Sequence, residues 1–153
     1  MSDGGVTEAD RRWMELAIDL SRRCPPSKTA FSVGAVVVDA DGEEIVRGWS
    51  RDIDEHVHAE ESALSRVSPD DPRLAGATLY STLEPCSHRK SRPVTCTQHI
   101  LATKIPRIVI AWIEPPLFVS DAQGSEILRG EGREVVEIKD LAELARSVNA
   151  DLF

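Results

Sequence analysis

Four side chains in this 153-residue chain have the types and spacing for metal and proton chemistry: His58, Glu60, Cys86 and Cys96. The first two stand in HVHAEESAL at 56–64, and the two cysteines in LEPCSHRKSRPVTC at 83–96. One imidazole and two thiolates are the donors that zinc prefers in tetrahedral coordination. Three protein ligands leave a fourth position for water, the mark of a catalytic site, and zinc lowers the pKa of that water to about 7. Glu60 is then placed to take the water's proton rather than to ligate. A purely structural zinc site needs a fourth protein donor, and His56, His88 and His99 are the candidates that keep this alternative open. The remaining cysteine, Cys24, reads as a small core hydrophobe.

These side chains need elements that bring them together. His58 follows a loop and opens HAEESALSRV, whose apolar residues recur at helical spacing. Cys86 follows the strand-like ATLYSTLE and Pro85, and Cys96 lies at the start of a helix over roughly 94–103. Two helix N-termini meeting at one point would gather the ligands, and their positive ends favour thiolates. Upstream, a helix spans roughly 7–23 behind a Thr7–Asp10 variant of the capping box, and CPPS ends it. SVGAVVVDADGEEIVRGWS reads as a hairpin with an Asp-Gly turn. Downstream come a buried strand, RIVIAWI, a helix in SDAQGSEILRG, a short strand in REVVEI and a closing helix in DLAELARSVNADLF. Strands alternating with helices predict a layered α/β domain with a largely parallel sheet. The helix between RIVIAWI and REVVEI makes those two strands parallel.

Composition sets the limits. With 153 residues, the chain suits one domain with one core, 1–153. Hydrophobic residues at 41% and charged residues at 29% fit an ordinary globular protein. A formal net charge of −8 repels phosphate backbones and disfavours a broad nucleic-acid face. No apolar run approaches the roughly 20 residues that a membrane span needs. MSDGGVTEAD has neither the basic nor the apolar region of a secretory signal, so the expected compartment is the reducing cytoplasm, where cysteines serve as thiols or ligands.

HAEESAL together with TLYSTLEPCSH and RPVTC resembles the zinc-dependent cytidine-deaminase-like superfamily, whose signature is H-x-E, then P-C and a second cysteine. Within it, GATLYSTLEPCSH and IPRIVIAWIEPP are most similar to the deaminase domain of bacterial riboflavin biosynthesis, over about Trp13 to Val136. The resemblance implies a three-layer α/β/α fold with a five-stranded mixed sheet whose last two strands are parallel. It implies one zinc per chain on His58, Cys86 and Cys96, with Glu60 as general acid/base. It implies hydrolytic deamination of an amino-substituted pyrimidine or related heterocycle, in the riboflavin-pathway version a diamino-ribosylaminopyrimidinone phosphate. These folds often form homodimers or tetramers, so a homo-oligomer is expected. Many bacterial members carry a reductase domain after the deaminase, and none is expected here.

Three departures bear on the substrate. Where the family has an Asn-Pro pair before its VG strand, this chain has Ala30-Phe31. The loop between the cysteines, SHRKSRPVT, is one residue longer than expected and lacks the usual Gly-Arg-Thr-Pro-Pro. EPPL replaces the usual DPNP after the fourth strand. His88, Arg89, Lys90 and Arg92 in that loop are candidates for a phosphate clamp, since arginine grips phosphate bidentately; the competing reading is a solvated charged loop. The alternative functions are deamination of another nucleobase-like or specialised metabolite, and a non-catalytic zinc-binding partner subunit.

Overall fold

The computed structural model describes residues 6–25, 27, 30–85, 95–113 and 124–150. The Thr7–Asp10 capping box forms: the Asp10 N–H donates to Thr7 Oγ1 at 3.1 Å, and the Thr7 N–H to Asp10 Oδ2 at 2.9 Å. Helix α1, Glu8–Ser21, follows and buries Met14, Ala17, Ile18 and Leu20. Strands β1, Gly34–Val38, and β2, Glu44–Trp49, make the expected hairpin. Its turn places Gly42 at φ +81°, a conformation glycine adopts without strain. Helix α2 is Ala59–Leu64, strand β3 Thr78–Leu83, helix α3 Cys96–Leu101 and strand β4 Arg107–Trp112. Helix α4, Gly124–Gly130, strand β5, Glu134–Glu137, and helix α5, Ala142–Ser147, complete the order. A 3-10 turn at Pro72–Gly76, not expected from the sequence pattern, starts at Asp71, whose side chain accepts from the Arg73 N–H.

The sheet runs β2-β1-β3-β4-β5. β1 is antiparallel to β2 and β3, whereas β3–β4 and β4–β5 are parallel, as crossovers through α3 and α4 require. Side chains alternate along β3. Tyr80 faces α1, where its hydroxyl donates to Asp10 at 2.6 Å, and Ser81 faces α2, where its hydroxyl donates to Glu60 at 2.9 Å. α1 and the turn leading into α5 lie on one face, joined by the Arg11–Asp140 ion pair; α2 and α3 pack together on the other. The fold is the expected three-layer α/β/α arrangement.

Apolar residues from all five strands, as core members or packed against it, form one hydrophobic core with α1, α2, α3, α4 and α5. One polar cluster fastens α1 to it. Arg107 on β4 donates to both Asp10 oxygens, at 2.8 and 2.7 Å. Burial alone would raise the Asp10 carboxyl, but the Arg107, Tyr80 and Thr7 donors outweigh it and bring it down to about 2. Burial and the Asp10 charge push the Tyr80 hydroxyl up. No helix among the described residues is long and apolar enough to cross a membrane.

Candidate functional site

α2 lies against β2 at a glycine. A Cβ on Gly48 would meet Ala63 N and Ser62 Oγ at 2.6 Å and Ala59 O at 2.9 Å, so only glycine lets the helix approach this closely. His58 is the N-cap of α2, in extended backbone at φ −88° and ψ 160°. Its N–H donates to Glu61 Oε1 at 3.3 Å, which satisfies an otherwise open helix end. Cys96 is the first residue of α3, behind Thr95 and Gln98, which cap each other reciprocally. The N-terminal ends of α2 and α3 thus meet, as a shared ligand set requires.

His58 Nδ1 stands 3.2 Å from Cys96 Sγ. Zinc at about 2.0–2.1 Å from nitrogen and 2.3 Å from sulfur, with tetrahedral angles, would set these atoms about 3.5 Å apart. The pair therefore has the donor chemistry and nearly the spacing of two ligands of one zinc ion. Cys96 is buried, so its sulfur is held inside rather than offered to solvent. Glu60, within the first turn of α2, is only 3% exposed. Its Oε2 accepts from Ser81 Oγ on β3 at 2.9 Å.

Cys86, the third expected ligand, and His88, Arg89, Lys90 and Arg92 lie outside the described residues. The chain leading to Cys86 is firmly placed. The Glu84 N–H donates to Trp112 O at 3.0 Å, and the buried Glu84 side chain accepts from the Ser125 N–H of α4 at 3.0 Å. Gly124 packs so tightly on the Pro85 carbonyl that a Cβ there would collide with it. Of the other candidate donors, His56 is exposed beside Glu55, and His99 Nε2 lies 3.9 Å from Glu61 Oε2. Cys24 is half-buried rather than in the core. Its thiol donates to Val33 O at 3.5 Å, and burial pushes its pKa up.

Where the resemblance expects Asn-Pro, Phe31 is buried edge-on against Trp112, with ring centres 5.4 Å apart. Arg51 holds this segment in place, donating to Pro25 O, Phe31 O and Ser32 Oγ. The buried Asn149 pairs with both backbone groups of Ser32. Ser81, Glu84 and Asn149 do not stand out in the sequence. The one signal for Ser81 is a hydroxyl in the middle of the buried stretch TLYSTL.

The cytidine and deoxycytidylate deaminase zinc-binding region matches residues 7–112. The diaminohydroxyphosphoribosylamino-pyrimidine deaminase of Schizosaccharomyces pombe is 38% identical over 127 residues, 82% of this chain and 31% of that protein. The riboflavin biosynthesis protein RibD of Aquifex aeolicus is 36% identical over 152 residues, 97% of this chain and 40% of the relative. The structure of Acinetobacter baumannii RibD superposes with a TM-score of 0.80 at 29% identity, covering 95% of this chain and 39% of that one. The chain thus spans about a third to two fifths of the length of these relatives.

Proposed function

This chain belongs to the cytidine and deoxycytidylate deaminase zinc-binding family, and from that premise we propose that it hydrolytically deaminates an amino-substituted pyrimidine. One observation carries the reading: a buried glutamate stands two residues beyond a histidine whose ring lies 3.2 Å from a buried cysteine on the neighbouring helix. His58, Cys86 and Cys96 would hold one zinc ion. When bound, zinc supplies a Lewis acid that makes water a nucleophile near neutral pH. Glu60 does the proton work. It receives the proton that water gives up as its oxygen adds to the amino-bearing ring carbon, and hands it to the adjacent ring nitrogen. The second proton goes to the departing amine, the carbon–nitrogen bond breaks and ammonia leaves. The presence of Glu60 disfavours a non-catalytic zinc-binding subunit, which would have no use for a buried carboxylate.

The preferred substrate is the diamino-ribosylaminopyrimidinone phosphate, with His88, Arg89, Lys90 and Arg92 gripping its phosphate. The S. pombe relative's name supports this choice. A second reading, deamination of another nucleobase-like compound, is favoured by Ala30-Phe31 standing where Asn-Pro is expected, which leaves Ala30 in place of the asparagine contact. A reducing compartment, the cytoplasm, would keep the ligand thiols available. A homo-oligomer, dimer or tetramer, belongs to the same reading, and light scattering on the purified chain tests it. The function itself is tested by incubating the chain with the phosphorylated diaminopyrimidine and following ammonia. Sustained turnover is expected. No ammonia from this compound or from a panel of amino-heterocycles would refute the proposal.

A further inference from the structure

Glu60 must present its carboxylate in one orientation, and α2 alone does not ensure that. A glutamate has three side-chain torsions, the last of them broad and shallow. The structure supplies an anchor from another element. Ser81 lies in the middle of β3, fully buried, paired with Ala35 on one side and Ile110 on the other. Its hydroxyl is 2.9 Å from Glu60 Oε2 and 2.8 Å from the carbonyl of Leu83. Both partners bear on the site, since Leu83 is three residues before Cys86 on the same chain. We infer that Ser81 is a positioning residue for deamination, fixing the plane of the Glu60 carboxylate from the sheet. This inference rests on the proposed role of Glu60.

The chemistry suits a hydroxyl in particular. A hydroxyl has one proton and two lone pairs, so it can donate to a carboxylate or accept from a carboxylic acid while donating elsewhere. Ser81 has both alternatives in reach. It can give its proton to Glu60 Oε2, or give it to Leu83 O and accept from Glu60 when the latter carries a proton. An aliphatic side chain here would leave a buried carboxylate oxygen without this partner, and such losses are costly. The strand is a rigid platform hydrogen-bonded on both sides, so the anchor moves little as substrate enters and leaves.

Ser81→Thr and Ser81→Val test this, because the two variants have the same shape and differ in one hydroxyl. Any cost of the extra methyl is common to both. Ammonia release from the phosphorylated diaminopyrimidine should show a kcat about ten- to a hundredfold lower for Val than for Thr, the worth of one hydrogen bond to a charged group. KM should agree within about threefold, and zinc content should be the same. Adding Glu60→Gln to each should erase most of the difference, because the anchor then holds a group that no longer takes a proton. Equal kcat for Thr and Val would overturn the inference, as would an undiminished difference in the Glu60→Gln background. Full activity of Glu60→Gln alone would instead overturn the proposed mechanism. If neither substitution at Ser81 folds, Ser81→Ala replaces Val and wild type replaces Thr, with the same fold-change expected.

Discussion

At the scale of single residues, Glu60 is the group whose burial most needs a reason. Taking a carboxylate out of water costs several kcal/mol unless charge and hydrogen bonds offset it. Ser81 provides one hydrogen bond, and a dication beside His58 and Cys96 would provide the opposite charge. Glu60→Gln keeps the shape and cannot accept a proton at neutral pH. It should leave zinc content and fold intact and lower kcat by about 10³–10⁴-fold, the upper part of what general acid–base catalysis supplies. Elemental analysis beside an ammonia assay checks both halves; a variant that loses its zinc would make Glu60 a ligand. His58→Ala should lose zinc and activity together. The cationic loop makes a separate prediction. Alanine at Arg89, Lys90 and Arg92 should raise KM for the phosphorylated substrate by roughly ten- to a hundredfold for each charged hydrogen bond removed, and spare the dephosphorylated form. Equal effects on both forms would mean that the loop merely sits in solvent.

At the scale of elements, the site depends on where α2 is set down. Gly48→Ala would put a methyl into the backbone of α2 and move His58 and Glu60 with it. Overpacking of this kind costs about 1–3 kcal/mol. Thermal unfolding should show that loss, and kcat should fall by about tenfold or more, because small misplacements are expensive in catalysis. A stable, fully active Gly48→Ala would show that the helix has room to shift. Much of this architecture is legible in the sequence because it rests on local rules. The Thr7–Asp10 cap, the Asp-Gly turn and the crossover that makes β4 and β5 parallel are each written in a few adjacent residues. The H-x-E motif with the second cysteine is legible because its chemistry demands particular side chains at two helix ends. What is not legible depends on meetings between distant segments. Ser81 reaches Glu60 across 21 positions, Glu84 reaches Ser125 across 41, and Asn149 reaches Ser32 across 117. No periodicity encodes such pairs. Phe31 stands out in the sequence as a departure, but its packing on Trp112 needs the fold to be seen.

At the scale of the whole molecule, the fastening of α1 to the sheet sets the acid limit of stability. Asp10 has its carboxyl lowered to about 2 in the folded chain, against an ordinary value of 3.8. Its contribution is therefore present above about pH 4 and is lost as pH falls toward 2. Allowing for solvent screening, that contribution is about 1–2 kcal/mol. Asp10→Asn should lower stability near pH 7 by about that amount and flatten the fall between pH 4 and 2, as chemical denaturation at several pH values will show. An unchanged acid profile would mean that Asp10 is not the group responsible. The central claim, that this fold brings three ligands and a proton carrier together around one zinc ion to release ammonia, is tested most directly by titration. The purified chain, stripped with a chelator, is given zinc in steps while ammonia release from the phosphorylated diaminopyrimidine is followed. Almost no activity is expected without metal, followed by a linear rise that stops at one zinc per chain. Full activity in the stripped protein, or a rise that passes one equivalent without a break, would contradict it.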